Sequence, residues 1–329
     1  MSAAAAPPLL SVRQLAVTFP APGGEEAKVV DGISFDVAAG EIVALVGESG
    51  CGKSVTSLAL LDLVPEPGRV ASGEVLFEGR DVRAMSEREK QKLRGGGIGL
   101  VFQEPGAALD PVRTIGSELA GVLRRHRGLS RSAAREAALS WLRRVALPDP
   151  ERRFDDLPHR MSGGMRQRAM MALALAGGPR LLVADEPTTA LDVTIQAQIL
   201  DLLLELRREL SLAVLLITHD LGVVAETADR TLVMYAGEIV ESAPVRKLFA
   251  SPSHPYTRGL LASRPGPDGR LRAMEGTVPE PGARPPGCAF EPRCPEAFGR
   301  CRAARPVLEK VPGRAAEAAC FLWDERGGR

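Results

Sequence analysis

Apolar residues in this chain gather into short, nearly unbroken runs, and a glycine-rich or polar break follows each one. Glu41 to Val46 (EIVALV), Leu100 to Phe102 (LVF), Leu181 to Ala184 (LLVA) and Leu212 to Ile217 (LAVLLI) read as buried strands. Stretches of helical length lie between them. Ser54 to Val64 has few breakers, and Gly116 to Arg127 and Ser132 to Val145 each carry an apolar stripe with arginines opposite, most simply a solvated face. Thr194 to Leu210 is amphipathic throughout, Leu15 to Thr18 alternates, and Val233 to Val240 predicts a hairpin turning at Ala236 and Gly237. The pattern predicts an α/β fold with ligands at the carboxyl ends of its strands.

The breaks carry the candidate chemistry. After the first run comes GESGCGKS, comprising Gly47, Glu48, Ser49, Gly50, Cys51, Gly52, Lys53 and Ser54, with the spacing of a phosphate-binding loop. A strand, a glycine turn and a helix start together converge backbone N–H groups on an anion. Lys53 would neutralise β- and γ-phosphates, and Ser54 would offer its hydroxyl to Mg²⁺. The run at Leu181 ends in Asp185 and Glu186, which would hold Mg²⁺ through water and polarise the attacking water, respectively. The run at Leu212 ends in Thr218, His219 and Asp220; His219 would contact the γ-phosphate and the water held by Glu186. Gln103 follows LVF and would touch Mg²⁺, or is an ordinary loop residue.

Order and spacing of these motifs resemble the ATP-binding-cassette transporter ATPases. The resemblance assigns Gln103 to the Q-loop, Met161 to Met165 (MSGGM) to the signature, Thr189 to Asp192 (TALD) to the D-loop and His219 to the switch histidine. It implies that Ser162, Gly163 and Gly164, with Met165 beside them, cap the γ-phosphate bound by a partner subunit, so that two ATPs are buried in a dimer. Phe19 falls where the family stacks an aromatic on adenine, and is otherwise a core phenylalanine. Usual members carry leucine at 161 and glutamine at 165. Methionine at 165 removes a hydrogen bond worth about 1 kcal/mol, but the serine and both glycines remain, and SGGMRQR is similar to the form seen in the peptide-importer branch.

Composition bounds the rest. With 329 residues, 45% hydrophobic content and net charge +1, the chain suits a globular protein of one large or two modest domains, without the basic excess of a nucleic-acid binder. Its apolar runs stop short of the ~18 residues a spanning helix needs. Met1 to Leu10 lacks the charged start of a signal peptide. The expectation is a protein peripheral to the cytoplasmic face of the inner membrane.

Beyond about residue 250 the composition shifts. HPYTRGLL (His254 to Leu261) precedes a stretch rich in proline and glycine, Ser263 to Gly287, in which an ordered core is doubtful without help. Four of the five cysteines follow, at Cys288, Cys294, Cys301 and Cys320; Cys51 is a small filler in the phosphate loop. Disulfides are disfavoured in a reducing cytosol. The spacing lacks the tight pairs of common zinc sites, so a structural [4Fe–4S] cluster is the sharper reading, with zinc or unligated thiols as alternatives. HPYT and GCAFEPRCP also resemble the C-terminal extension of oligopeptide and dipeptide importer ATPases, some of which hold such a cluster.

Taken together, these readings give a cassette over residues 1–253, with an antiparallel β subdomain and an inserted helical subdomain at about 104–178, then a small cysteine-containing extension over 254–329. The resemblance implies an ATPase energising import of di- or oligopeptides, alongside a second, similar ATPase subunit, two membrane permeases and an extracytoplasmic solute-binding protein. Nickel, glutathione or another small solute is the alternative cargo. Chromosome-maintenance ATPases would insert heptad coiled coils, and translation factors a second cassette; neither occurs here. A redox sensor that gates turnover through the cysteines is a third class.

Overall fold

The structure, a computed structural model, describes residues 7–21, 24–188, 192–263 and 274–324. Contacts divide the chain into two units, one built mainly from Ala84–Leu216 and the other from Leu10–Asp36, Ile42–Arg83 and Ile217–Arg329.

In the second unit, the strand Leu10–Pro20 lies between Glu26–Val37 and Arg69–Phe77, and Arg80–Asp81 completes a four-stranded sheet. Leu10–Pro20 runs antiparallel to Arg69–Phe77, with Leu10 opposite Phe77 and Val12 opposite Val75. Ile42–Val46 is buried at all five positions and pairs in parallel with Arg230–Tyr235. A strand covered on both faces has no polar side to present, which is why it reads as a continuous apolar run.

Arg230–Tyr235 folds back into Glu238–Pro244 through Ala236 and Gly237, at φ 45° and 82°. Two consecutive positive φ values give the tight turn whose twist matches a hairpin. The turn falls at the expected residues, but both strands extend beyond the predicted 233–240. Glu317–Ala318 adds antiparallel to Glu238–Pro244, and Glu309–Lys310 adds outside it. The C-terminal segment thus finds its order by covering an open sheet edge.

The helix after the glycine loop spans Lys53–Ala59, shorter than the predicted 54–64. Leu63 N–H reaches back to the Leu58 carbonyl at 2.9 Å and Asp62 has φ 52°, closing the helix in a turn ahead of Pro65, whose ring disfavours helical backbone at Val64.

In the first unit, Ile98–Val101, Leu181–Asp185 and Ala213–Thr218 lie side by side, with Ile98 opposite Leu181 in parallel register. Helices Ile115–Arg127 and Arg131–Arg144 start on Thr114 and Ser130, whose hydroxyls accept N–H bonds from Ser117 and Ala133. They bury Leu119, Leu123, Ala134, Ala138 and Leu142. The arginines opposite are not merely solvated: Arg143 pairs with Glu151 and Arg144 with Glu209, although such exposed pairs contribute little. Gly163–Ala176 and Val193–Leu210 complete the unit's longer helices. Among the described residues no helix is long and apolar enough to cross a membrane.

Candidate functional site

The phosphate loop begins where the Ile42–Val46 strand ends. Gly47 is buried, and a Cβ there would lie 2.2 Å from the Met234 carbonyl oxygen, so only glycine lets the loop leave the sheet this closely. Gly50 and Gly52 both have positive φ, and Gly52 is the N-cap of the helix that carries Lys53 and Ser54. Lys53 is buried, its Nζ donating to the carbonyls of Gly47 at 2.8 Å and Glu48 at 2.9 Å. Ser49 and Ser54 are exposed, whereas Cys51 is buried, and burial pushes its thiol pKa up. A buried, protonated thiol fits the filler role expected of it.

In the other unit, Asp185 is the buried last residue of its strand and Glu186 follows at φ 45°. Left-handed backbone at a glutamate is strained, and such strain concentrates where a side chain must be aimed. Gln103 Nε2 donates to Glu186 Oε2 at 3.0 Å, joining two strand ends that are 83 residues apart in sequence. With its amide N–H₂ engaged by the carboxylate, the Gln103 carbonyl oxygen is left as the group suited to a hard cation. Amide and carboxylate oxygens, such as those of Gln103 and Asp185, are donor chemistry that Mg²⁺ takes, and so is a hydroxyl such as that of Ser54 in the other unit.

Ser162 caps the Gly163–Ala176 helix by accepting from Met165 N–H at 3.3 Å. The cap uses an oxygen lone pair and not the hydroxyl proton, so the serine keeps its capacity to donate. Gly164 packs on the next helix, where a Cβ would come 2.9 Å from Ile195 Cγ2. Asp192 is that helix's N-cap, accepting from Ile195 N–H at 2.9 Å. The rest of the D-loop, Thr189 to Leu191, lies outside the described residues. His219 is exposed just past its strand, ahead of a helix capped by Asp220. Phe19 is half-buried and packs over Gly68, whose added Cβ would fall 2.4 Å from the ring.

The four C-terminal cysteines border one cavity together with His254, Phe290 and Phe321. Burial pushes the thiols of Cys288 and Cys320 up to about 11 and about 12, and raises Cys294 as well; neighbouring cysteines add to each shift. Among the described residues, no three His, Cys, Asp or Glu side chains are gathered so as to hold a single metal ion.

Sequence reasoning did not single out two residues that the fold brings to the phosphate loop, Tyr256 and Arg293. Tyr256 Oη accepts the Glu48 N–H at 2.9 Å, and Arg293 forks onto the Glu48 carboxylate at 2.6 and 3.0 Å. Tyr256 is placed by its own motif. Buried Glu241 accepts N–H bonds from Ser253 and His254 at 2.7 and 2.8 Å, and His254 Nδ1 accepts from Tyr256 N–H at 3.0 Å. Burial, reinforced by Arg258, holds His254 down to about 3, so it serves as a neutral cap. HPYT and EPRC were visible as segments, but no spacing rule links them to a loop more than 200 residues upstream.

Residues 30–189 match the ABC transporter family, and residues 240–301 match the oligopeptide/dipeptide transporter C-terminal region. A probable peptide ABC transporter ATP-binding protein of Sinorhizobium fredii is 51% identical over 325 residues, covering 96% of each chain. The dipeptide transport ATP-binding protein DppD of Escherichia coli is 45% identical over 324 residues, covering 97% of this chain and 98% of its own. Among solved structures, a dimeric ATP-binding cassette in a post-hydrolysis state with ADP and phosphate aligns with TM-score 0.63 at 28% identity, over 72% of this chain and 99% of that one.

Proposed function

Because the chain belongs to the ATP-binding-cassette transporter ATPases, we propose that it is the subunit whose ATP hydrolysis energises import of di- or oligopeptides. The observation that carries this reading is similarity along the full chain, C-terminal region included, to proteins named for peptide and dipeptide transport.

Each half of the machinery has residues suited to its role. Lys53 binds the β- and γ-phosphates, and the loop amides cradle them. Glu186, aimed by its backbone and by Gln103, orients the attacking water and takes its proton. Mg²⁺, when bound to Ser54, Gln103 and Asp185, supplies charge neutralisation on the phosphates. His219 contacts the γ-phosphate, Phe19 packs on adenine, and Asp192, the D-loop aspartate, caps the helix that follows it. Ser162, Gly163 and Gly164 act on the nucleotide of a second ATPase subunit, similar but not identical to this one, with Met165 forgoing one hydrogen bond. Two permeases receive the motion, a solute-binding protein delivers the peptide, and the ATPase sits peripherally at the cytoplasmic face of the inner membrane.

The extension over 254–329 is read as a C-terminal region stapled by a [4Fe–4S] cluster on Cys288, Cys294, Cys301 and Cys320. Four thiols around one cavity support this reading. In such a cluster each thiolate binds its own iron, so the thiols must share a border and not a single point. Ligation would also deprotonate thiols that burial otherwise keeps protonated. Protein purified without oxygen should be brown, with about four irons per chain; colourless protein with stoichiometric zinc would contradict the assignment.

The function is tested by replacing the native copy with Glu186→Gln in its host and following uptake of labelled dipeptide, a longer peptide, glutathione and nickel. Selective loss of peptide uptake is expected. Loss of nickel or glutathione uptake alone would overturn the peptide assignment, and no loss at all would overturn a transport role.

A further inference from the structure

A phosphate loop that must receive a polyanion carries its own carboxylate, Glu48, beside Gly47. An unpaired carboxylate at this place repels the ligand. The structure supplies the counter-charge from far along the chain: Arg293 meets Glu48 in a two-pronged pair while only 5% of its side chain is exposed. Arginine suits this task because its planar fork matches a carboxylate in two bonds, which lysine cannot do. The main chain at the same residue is also committed. With its N–H engaged by Tyr256, Glu48 does not offer that donor to phosphate, and the loop's remaining amides are presented in one arrangement.

Both anchors belong to the cysteine-bearing extension. Arg293 immediately precedes Cys294, in a tight turn in which Arg293 N–H bonds the Phe290 carbonyl at 3.0 Å. Phe290 packs on Tyr235 and Tyr256 at ring separations of 5.2 and 5.4 Å, and Tyr235 lies in the strand beside the one that feeds the loop. The position of the cysteine turn therefore sets the position of the guanidinium.

We propose that Arg293 and Tyr256 are positioning residues of the nucleotide loop: they neutralise and orient Glu48, so that docking of the cysteine segment and binding of ATP favour each other. The proposal rests on the reading of Gly47–Ser54 as the nucleotide loop. Reciprocity follows from linkage: if docking raises ATP affinity, ATP tightens docking by the same factor.

The test is a cycle on the full chain, with ATP affinity measured for wild type, Arg293→Ala, Glu48→Gln and the double variant. Arg293→Ala should weaken ATP binding roughly tenfold when Glu48 is present and by less than about twofold when it is glutamine. An equal loss in both backgrounds would overturn the proposal, because a purely structural arginine would be indifferent to the charge at 48. If Arg293→Ala does not fold, Arg293→Lys carries the same cycle with a smaller loss. ATP should also slow hydrogen exchange over residues 288–301 in wild type and not in Arg293→Ala; equal protection in both would likewise overturn it. Lys53→Ala separates the two readings: if it leaves ATP affinity intact, the loop assignment fails, whatever the cycle shows.

Discussion

The phosphate loop and the cysteine segment each gather their distinctive residues around one place, yet they come from opposite kinds of sequence. The loop motif is eight consecutive residues running from a buried strand into the first turn of a helix, and its geometry is made by backbone that glycines alone can follow. The cysteine site draws on residues from 288 to 320, with short turns between them, and is held in place by a two-residue strand, an aromatic cluster and an arginine. A contiguous site carries its instructions in its spacing. A dispersed one depends on what it docks against, and here it docks against the loop.

The sharpest break of that comparison is chemical. Glu186→Gln should keep ATP binding and lower hydrolysis by ~10²–10⁴-fold, the usual contribution of a positioned general base. Single-turnover hydrolysis measures it, and an unchanged rate would remove Glu186 from the mechanism. Next is Gly47→Ala, which sets a methyl carbon against the Met234 carbonyl. It should cost about 3 kcal/mol by overpacking and displace the loop, seen as a lowered denaturant midpoint together with lost ATP binding; a native midpoint with native affinity would show that the loop tolerates a side chain.

A smaller effect is expected at the signature. Ser162→Ala removes a helix cap worth ~1 kcal/mol and should slow ATP-driven dimerisation without changing ATP affinity for the chain's own loop. Light scattering with and without ATP distinguishes the two. Smallest is a pH effect in the extension. His254 is held far below its unfolded value, so the unfolded chain binds its proton first; the stabilisation is complete above about pH 6.5 and is lost progressively as pH falls toward about 3. Burial raises Glu241, which works in the opposite sense above its ordinary value. His254→Asn retains an oxygen to cap Tyr256 N–H and should flatten the acid loss by up to ~1.4 kcal/mol per pH unit. An identical acid profile in unfolding experiments would place the loss elsewhere.

Much of the nucleotide half was legible because buried parallel strands read as unbroken apolar runs, and a polar or glycine candidate stands at or just past the end of each: Gly47, Gln103, Asp185 and His219. The turn at Ala236 and Gly237 was also legible from local chemistry. The helix after the loop is shorter than its sequence predicts, since leucines continue past Ala59 while the chain has already turned. Glu26–Val37 and Arg69–Phe77 gave no separate signal because polar residues and glycine interrupt any apolar run. The Glu317–Ala318 strand has too few residues to show a period, and the Arg293–Glu48 pair spans 245 positions. Pairing of that range is set by topology, which no window along the chain contains.

The most direct test of the whole account is the ATP hydrolysis rate of this chain assembled with its permeases and solute-binding protein, measured with and without a dipeptide. A rate that rises with peptide and vanishes on Glu186→Gln substitution is expected. A rate indifferent to peptide but raised by nickel or glutathione would contradict the assignment of a peptide importer.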